Sequence, residues 1–234
     1  MEDVRVFHTE PKAYRHEYKH GMNYADMLAL RTRLKAVARP DPHAGPGGVY
    51  HIRSLYFDNV DDKALREKID GINNREKFRI RYYNHDLSLI HLEKKVKSNG
   101  LCGKVATTVT REECERLLAG DYSWMLAKHD GLVAELYAKM RYQRLRPRVV
   151  VDYLREPYIY EPGGVRITFD SNIRSGLYDQ RFLEGDLATM PASEEIILEV
   201  KYDAFLPGVI WDAVQLERTR TTAFSKYAAC RQYG

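Results

Sequence analysis

Charge falls on alternate residues in segments that otherwise read as β-strands: Arg15-x-Glu17-x-Lys19, Lys77-x-Arg79-x-Arg81, Glu93-x-Lys95-x-Lys97, the Arg155 and Arg166 pair of neighbouring strands, and Glu199-x-Lys201. Successive strand side chains point to opposite faces, so each segment gathers its charges on one face. In 75–83, Lys77, Arg79 and Arg81 oppose Phe78, Ile80 and Tyr82; in 87–97, Glu93, Lys95 and Lys97 oppose Ile90, Leu92 and Val96. Turned inward, such faces make a basic, carboxylate-dotted interior suited to a polyanion and its metal. Turned outward, they are ordinary solvated surface. A single strand does not decide. The set says more, because these faces carry few of the Ser, Thr and neutral amides that usually dilute an outer face. Like charges facing each other across a strand pair cost stability, so Arg79, Arg81, Lys95 and Arg166 on neighbouring strands call for a compensating anion or carboxylate. Phosphate matches the planar fork of Arg.

The rest of the chain supplies the frame. Residues 14–20 read as a strand, and Asn23 caps a helix with Met27, Leu28, Leu34 and Val37 at helical spacing. Residues 40–48 form a loop, 49–58 a strand, and 61–70 a short helix stopped by Gly71. Strands over 75–83, 87–97 and 101–109 follow in antiparallel succession. Thr110 and Glu113 make a capping box for a helix to residue 119, and a longer helical stretch runs over 124–142, weakened by Gly131. Residues 149–160 and 165–170 read as a hairpin, 195–202 as a strand, 207–214 as a helix, and 224–233 as a last helical segment. About eight mostly antiparallel strands with four or five helices predict an α+β fold, an antiparallel β-barrel with helices packed outside, since closure removes exposed edges. A single domain over 1–234 is expected.

Composition narrows function. Charged residues make up 30% of the chain, yet the net charge is only +4, which fits a nucleic-acid-coating protein poorly and makes any preference for anions a matter of placement. No nucleic-acid partner is expected. Cys102, Cys114 and Cys230 are scattered with no C-x-x-C spacing, which fits a reducing compartment and argues against disulfides or a thiolate zinc site. No stretch approaches the ~20 apolar residues of a membrane span, and residues 1–9 lack the apolar run of a signal peptide. A cytoplasmic, soluble protein without a membrane segment is the expectation.

Several short motifs recur in register: Tyr14-Arg15-His16-Glu17-Tyr18-Lys19, Ser54-Leu55-Tyr56-Phe57-Asp58, Arg79-Ile80-Arg81-Tyr82-Tyr83, Glu93-Lys94-Lys95, Tyr153-Leu154-Arg155, Val165-Arg166-Ile167-Thr168-Phe169-Asp170, Leu198-Glu199-Val200-Lys201-Tyr202 and Ser225-Lys226-Tyr227. In this order, over nearly the whole chain, they resemble the VTC-type polyphosphate polymerase domain of the triphosphate tunnel metalloenzymes, also called CYTH-like. The resemblance implies a tunnel whose lumen grips the triphosphate of a nucleotide or the end of a polyphosphate chain. Carried over by motif, Lys19, Arg79, Arg81, Lys95, Arg155 and Arg166 bind phosphate and serve catalysis. Lys104, Lys201 and Lys226 join them in substrate binding, and Glu199 holds Mn2+ or Mg2+. Glu17 and Glu93 orient basic neighbours or assist the metal. The implied activity is ATP-dependent polyphosphate polymerisation, with ATP and polyphosphate as partners. The alternatives are an inorganic or nucleoside triphosphatase, or a non-catalytic module that binds polyphosphate or triphosphate. The superfamily's Glu-x-Glu-x-Lys strand begins here with Arg15, a departure expected of the polymerase branch, which leaves fewer carboxylates for metal. The eukaryotic polymerases also carry regulatory and membrane parts, so translocation of a product is not expected of these residues alone.

Competing signals are weaker. His16-Glu17-Tyr18-Lys19-His20 spells H-E-x-x-H, but Pro11 and Gly21 bracket a window too short for the required helix, and in a strand both histidines oppose Glu17. The loop Gly45-Pro46-Gly47-Gly48 lacks the Lys-Ser/Thr of a phosphate-binding P-loop. Trp124 and Trp211 read as core anchors. The 17 tyrosines read as β-formers with polar tips at the rim, one or two placed to stack on an adenine at the mouth.

Overall fold

The computed structural model describes residues 8–45, 47–177, 181–216, 220–221 and 223–232. Eight strands close on themselves: β1 (Tyr14–Met22), β3 (Tyr50–Asp58), β4 (Arg75–Tyr83), β5 (Asp86–Ser98), β6 (Leu101–Val109), β7 (Arg146–Tyr160), β8 (Val165–Leu177) and β10 (Ile196–Tyr202). Around the barrel they run β7, β3, β4, β5, β6, β1, β10, β8, and β8 pairs back onto β7, every pairing antiparallel. Short strands β2 (Arg39–Pro40), β9 (Met190–Ser193) and β11 (Arg220–Thr221) add to β7, β8 and β1. Closure leaves each of the eight with a neighbour on both sides, so no long edge stays open to another chain.

The described residues form seven α-helices: α1 (Tyr24–Val37), α2 (Lys63–Ile69), α3 (Arg111–Leu118), α4 (Trp124–Ala127), α5 (Gly131–Tyr142), α6 (Gly208–Val214) and α7 (Lys226–Cys230). Their starts are written locally. The Asn23 side chain accepts the Asp26 N–H, Thr110 and Glu113 complete a capping box, and Asp130 accepts the N–H groups of Leu132 and Val133. That last cap splits the expected 124–142 helix, because His129 takes a left-handed φ of 53° and Asp130 begins a new helix. Gly131 is therefore the first residue of α5, where its weak helix propensity costs little. None of the helices among the described residues is long and apolar enough to cross a membrane.

The helices settle which way the strand faces turn. α3, α4 and α5 lay Leu117, Met125 and Leu136 on Phe78, Ile80 and Leu92, the apolar faces of β4 and β5. α1 and α6 lay Leu30, Leu34 and Ile210 on Ile167, Phe169, Leu198 and Val200 of β8 and β10. Burying such a side chain is worth about 1.5–3 kcal/mol, so these faces take the outer, helix-covered side and the charged faces are left to line the lumen. A third cluster lies inside the barrel at one end, where Tyr227 and Cys230 of α7 pack on Ile52, Val149, Val151, Ile173 and Ile197.

Three expectations are corrected here. Trp211 is 52% exposed, because α6 buries Ile210, Ala213 and Val214 instead, whereas Trp124 is buried. In α1 the core stripe is Met27, Leu30 and Leu34, and Leu28 faces solvent. β8 runs on past Asp170 to Leu177 and gains β9 as a partner. Ser171, Asn172, Ser175, Gly176 and Pro191 gave these stretches no strand signature, and tertiary pairing overrides it.

Candidate active site

The inward faces enclose a lumen of about 1080 Å³, lined among the described residues by fifteen Lys and Arg residues and four Glu. Alternation places them as β1 presents Arg15, Glu17 and Lys19, β4 presents Lys77, Arg79 and Arg81, β10 presents Glu199 and Lys201, and α7 adds Lys226. All nine substrate-binding residues carried over by motif line this one space. Lys104 lies at its rim, 53% exposed, and Arg166 is 40% exposed; the others are more deeply set.

Carboxylates hold the cations apart. The Arg79 guanidinium lies 2.6 Å from Glu93 Oε2 and donates to the Tyr56 hydroxyl at 2.8 Å, while Lys104 reaches the other Glu93 oxygen at 2.8 Å. Arg155 forks onto Asp170 at 2.6 and 2.7 Å, and Lys226 approaches the same carboxylate at 2.5 Å. Glu199 receives Lys201 at 2.7 Å, Lys19 at 3.5 Å and Arg155 at 3.9 Å. Glu17 receives Lys19 and Lys95, both at 2.9 Å. Arg166 pairs with Asp41 at 2.9 Å. Arg81 has hydroxyl partners instead, Ser54 at 2.8 Å and Tyr153 at 3.0 Å.

These pairings set the protonation states. Burial pushes Glu199 up, but Lys201, Lys19, Arg155 and Lys226 together hold it well below the carboxylate range. Glu93 is held down in the same way by Arg79, Arg81 and Lys104 against its own burial, and Asp170 by Arg155 and Lys226. Burial works against the charge on Lys19, yet Glu199 and Glu17 raise it above the usual lysine range. Glu17, Glu93, Asp170 and Glu199 are thus held ionised, as is Lys19, and cations outnumber carboxylates along the lumen.

Glu199 and Glu17 lie on paired strands and share Lys19 and Lys201, which puts two ionised oxygen donors side by side. A hard divalent cation is commonly held by one or two carboxylates plus substrate phosphates, so this donor set fits the expected metal. A second acidic group, His8, Glu76 and Glu135, has ligand atoms within 4.8 Å of one another and joins α5 to β4. Lys94 already fills it, 2.8 Å from Glu135, with Lys139 against Glu76, so it is an ion-pair knot tying α5 to β5. The H-E-x-x-H run lies in β1, with Glu17 in the lumen, His16 stacked on Tyr202, and His20 edge-on to Tyr18.

Sequence reasoning missed Asp170 and Asp41, which anchor Arg155 and Arg166, and the hydroxyls of Tyr56, Ser54 and Tyr153. Asp170 had a usable signal, since Arg166-x-Thr168-x-Asp170 is itself an alternating face. Asp41 had none, being 125 residues from its partner in sequence.

A closed antiparallel barrel with a cation-rich lumen and depressed carboxylates is a tunnel-type domain for triphosphate or polyphosphate chemistry. The chain belongs to the VTC domain family, whose model matches residues 14–233. Among solved structures it is similar to PH1012 from Pyrococcus horikoshii OT3 (12% identity, 91% of this chain and 96% of that one, TM-score 0.48). It is also similar to a candidate adenylate cyclase from Bacillus halodurans (16% identity, 82% of each chain, TM-score 0.47). Likenesses this distant carry no argument about function. Among curated proteins none matches the chain.

Proposed function

We propose that this chain is an ATP-dependent polyphosphate polymerase. The observation that carries the choice of transfer over hydrolysis is the state of the carboxylates that pair with the site's cations. Glu17, Glu93, Asp170 and Glu199 are each engaged by at least two cations and held ionised, so none is a competent base for activating water. A phosphate or polyphosphate terminus is already an oxyanion and needs no base.

Phosphoryl transfer asks for in-line placement and neutralised charge more than for a protein nucleophile. Arg79 and Arg81 of β4 and Arg155 of β7 present guanidinium forks, and Lys19, Lys95 and Lys201 add point charges from β1, β5 and β10. The bond from the β,γ-bridging oxygen to the γ-phosphorus of ATP breaks as a terminal acceptor oxygen bonds to that phosphorus, and ADP leaves with no net proton transfer. Mn2+ or Mg2+ held by Glu199, with Glu17 beside it, would neutralise phosphate oxygens during this exchange. Purified protein given ATP and Mn2+ is expected to produce a ladder of long-chain polyphosphate on a polyacrylamide gel. Release of orthophosphate alone would assign a triphosphatase, and tight ATP binding without turnover a binding module.

A further inference from the structure

The lumen contains a cation that the pairing scheme leaves out. Lys19, Arg79, Lys95, Arg155, Lys201 and Lys226 each hold a carboxylate, whereas Lys77 holds none among the described residues. The neighbouring Asp58 of β3 is fully engaged, accepting the N–H groups of Asn59, Ala64 and Leu65 and the Tyr227 hydroxyl. What faces Lys77 is aromatic or positive. The Tyr56 ring of β3 lies 5.2 Å from its ammonium and the Tyr227 ring of α7 5.8 Å. Lys95 of β5 is its register partner, Arg79 lies two residues along β4, and Lys19 reaches in from β1. Two ring faces favour a cation by about 0.5–2 kcal/mol each at most, which three like charges in a desolvated wall oppose.

We propose that Lys77 is a further phosphate-binding residue of this lumen, and that its proton arrives with the anion. The inference rests on the lumen binding a phosphate chain. Burial, with Lys95, Lys19 and Arg79, pulls the Lys77 amine down to about 7, although Tyr56 works the other way. A phosphoryl group set among Lys77, Arg79 and Lys95 brings the missing negative charge within a few ångströms and restores the ammonium. Binding and proton uptake are then linked: above neutral pH, the loading of the tunnel draws up to one proton from solution. Tyr56 is a second group able to answer for such a proton, since Arg79, Lys77 and Arg81 overcome its burial and bring it down to about 7.

Inorganic tripolyphosphate is the probe, titrated calorimetrically at pH 8 in buffers of different ionisation enthalpy, so that the ligand's own protons cancel between variants. Wild type is expected to take up more protons than Lys77→Arg, whose guanidinium stays charged, by a difference approaching one, with Lys77→Arg affinity within about threefold. Between pH 7 and pH 9 wild-type affinity should fall relative to Lys77→Arg by up to about tenfold per pH unit. Lys77→Met, checked for folding by circular dichroism, should bind at least about tenfold more weakly at pH 6.5. Equal proton uptake by wild type and Lys77→Arg overturns the proposal, as does loss of the wild-type excess in Tyr56→Phe, in which Lys77 is intact. Failure of wild type to bind tripolyphosphate at all defeats the phosphate-tunnel function itself, whereas binding without the proton difference defeats the role of Lys77 alone.

Discussion

Arg79 and Arg81 point the same way from one strand, two residues apart, and the structure makes them unequal. Arg79 is directly opposite Glu93 in register and holds its carboxylate, while Arg81 leans on two neutral hydroxyls. Read from sequence, replacing Arg79 and Arg81 with Ala should relieve repulsion and leave the fold without ligand intact or more stable. The pairing restricts that expectation to Arg81. Arg81→Ala should lose triphosphate binding with stability unchanged or raised. Arg79→Ala should lose binding and also about 3 kcal/mol or more of stability, because Glu93 stays buried with Lys104 as its remaining close ion-pair partner. Urea unfolding of the two variants separates the cases, and equal stability losses would contradict the assignment.

At the scale of elements, α7 is short yet decisive. Its five residues seat Tyr227 and Cys230 inside the end of the barrel, with the Tyr227 hydroxyl on Asp58 at 2.5 Å and Lys226 on Asp170. Tyr227→Ala should cost about 3–5 kcal/mol in chemical denaturation, as emptying an aromatic core position does. Tyr227→Phe should cost about 1.5–3 kcal/mol by leaving Asp58 one donor short. A loss below half a kilocalorie for the alanine variant would mean that α7 is peripheral. The helix itself was legible in Ser225-Lys226-Tyr227, with Ser225 capping it by accepting the Ala228 N–H. Its seat was not, because that depends on Ile52, Val151, Ile173 and Ile197, brought together only by four paired strands. β8 is the converse case: local residues argued against a strand beyond Asp170, and pairing with β7 and β9 supplied one.

For the molecule as a whole, a lumen with cations in excess should be more stable loaded than empty. Tripolyphosphate at a hundred times its dissociation constant should add about 2.7 kcal/mol and raise the melting temperature, an effect that Arg81→Ala should lack. Differential scanning calorimetry checks both, and an unchanged wild-type melting temperature at saturating ligand would exclude the loaded-tunnel picture.

The sequence alone determined the eight barrel strands as far as Asp170 in β8, their two-residue charge period, the helix caps at Asn23 and Thr110, and the ordered motifs that mark the family. Each of these depends on residues within a few positions of one another, and local backbone geometry reads them directly. Tertiary structure decided that the charged faces turn inward, because only helices docked on Phe78, Leu92, Phe169 and Leu198 leave the lumen as the place for charge. It also decided which carboxylate answers which cation, as with Arg166 and Asp41, or Lys19 and Glu199, and left Lys77 without one among the described residues. Such pairings join residues far apart in the chain, and the burial that gives them their strength exists only once the barrel has closed.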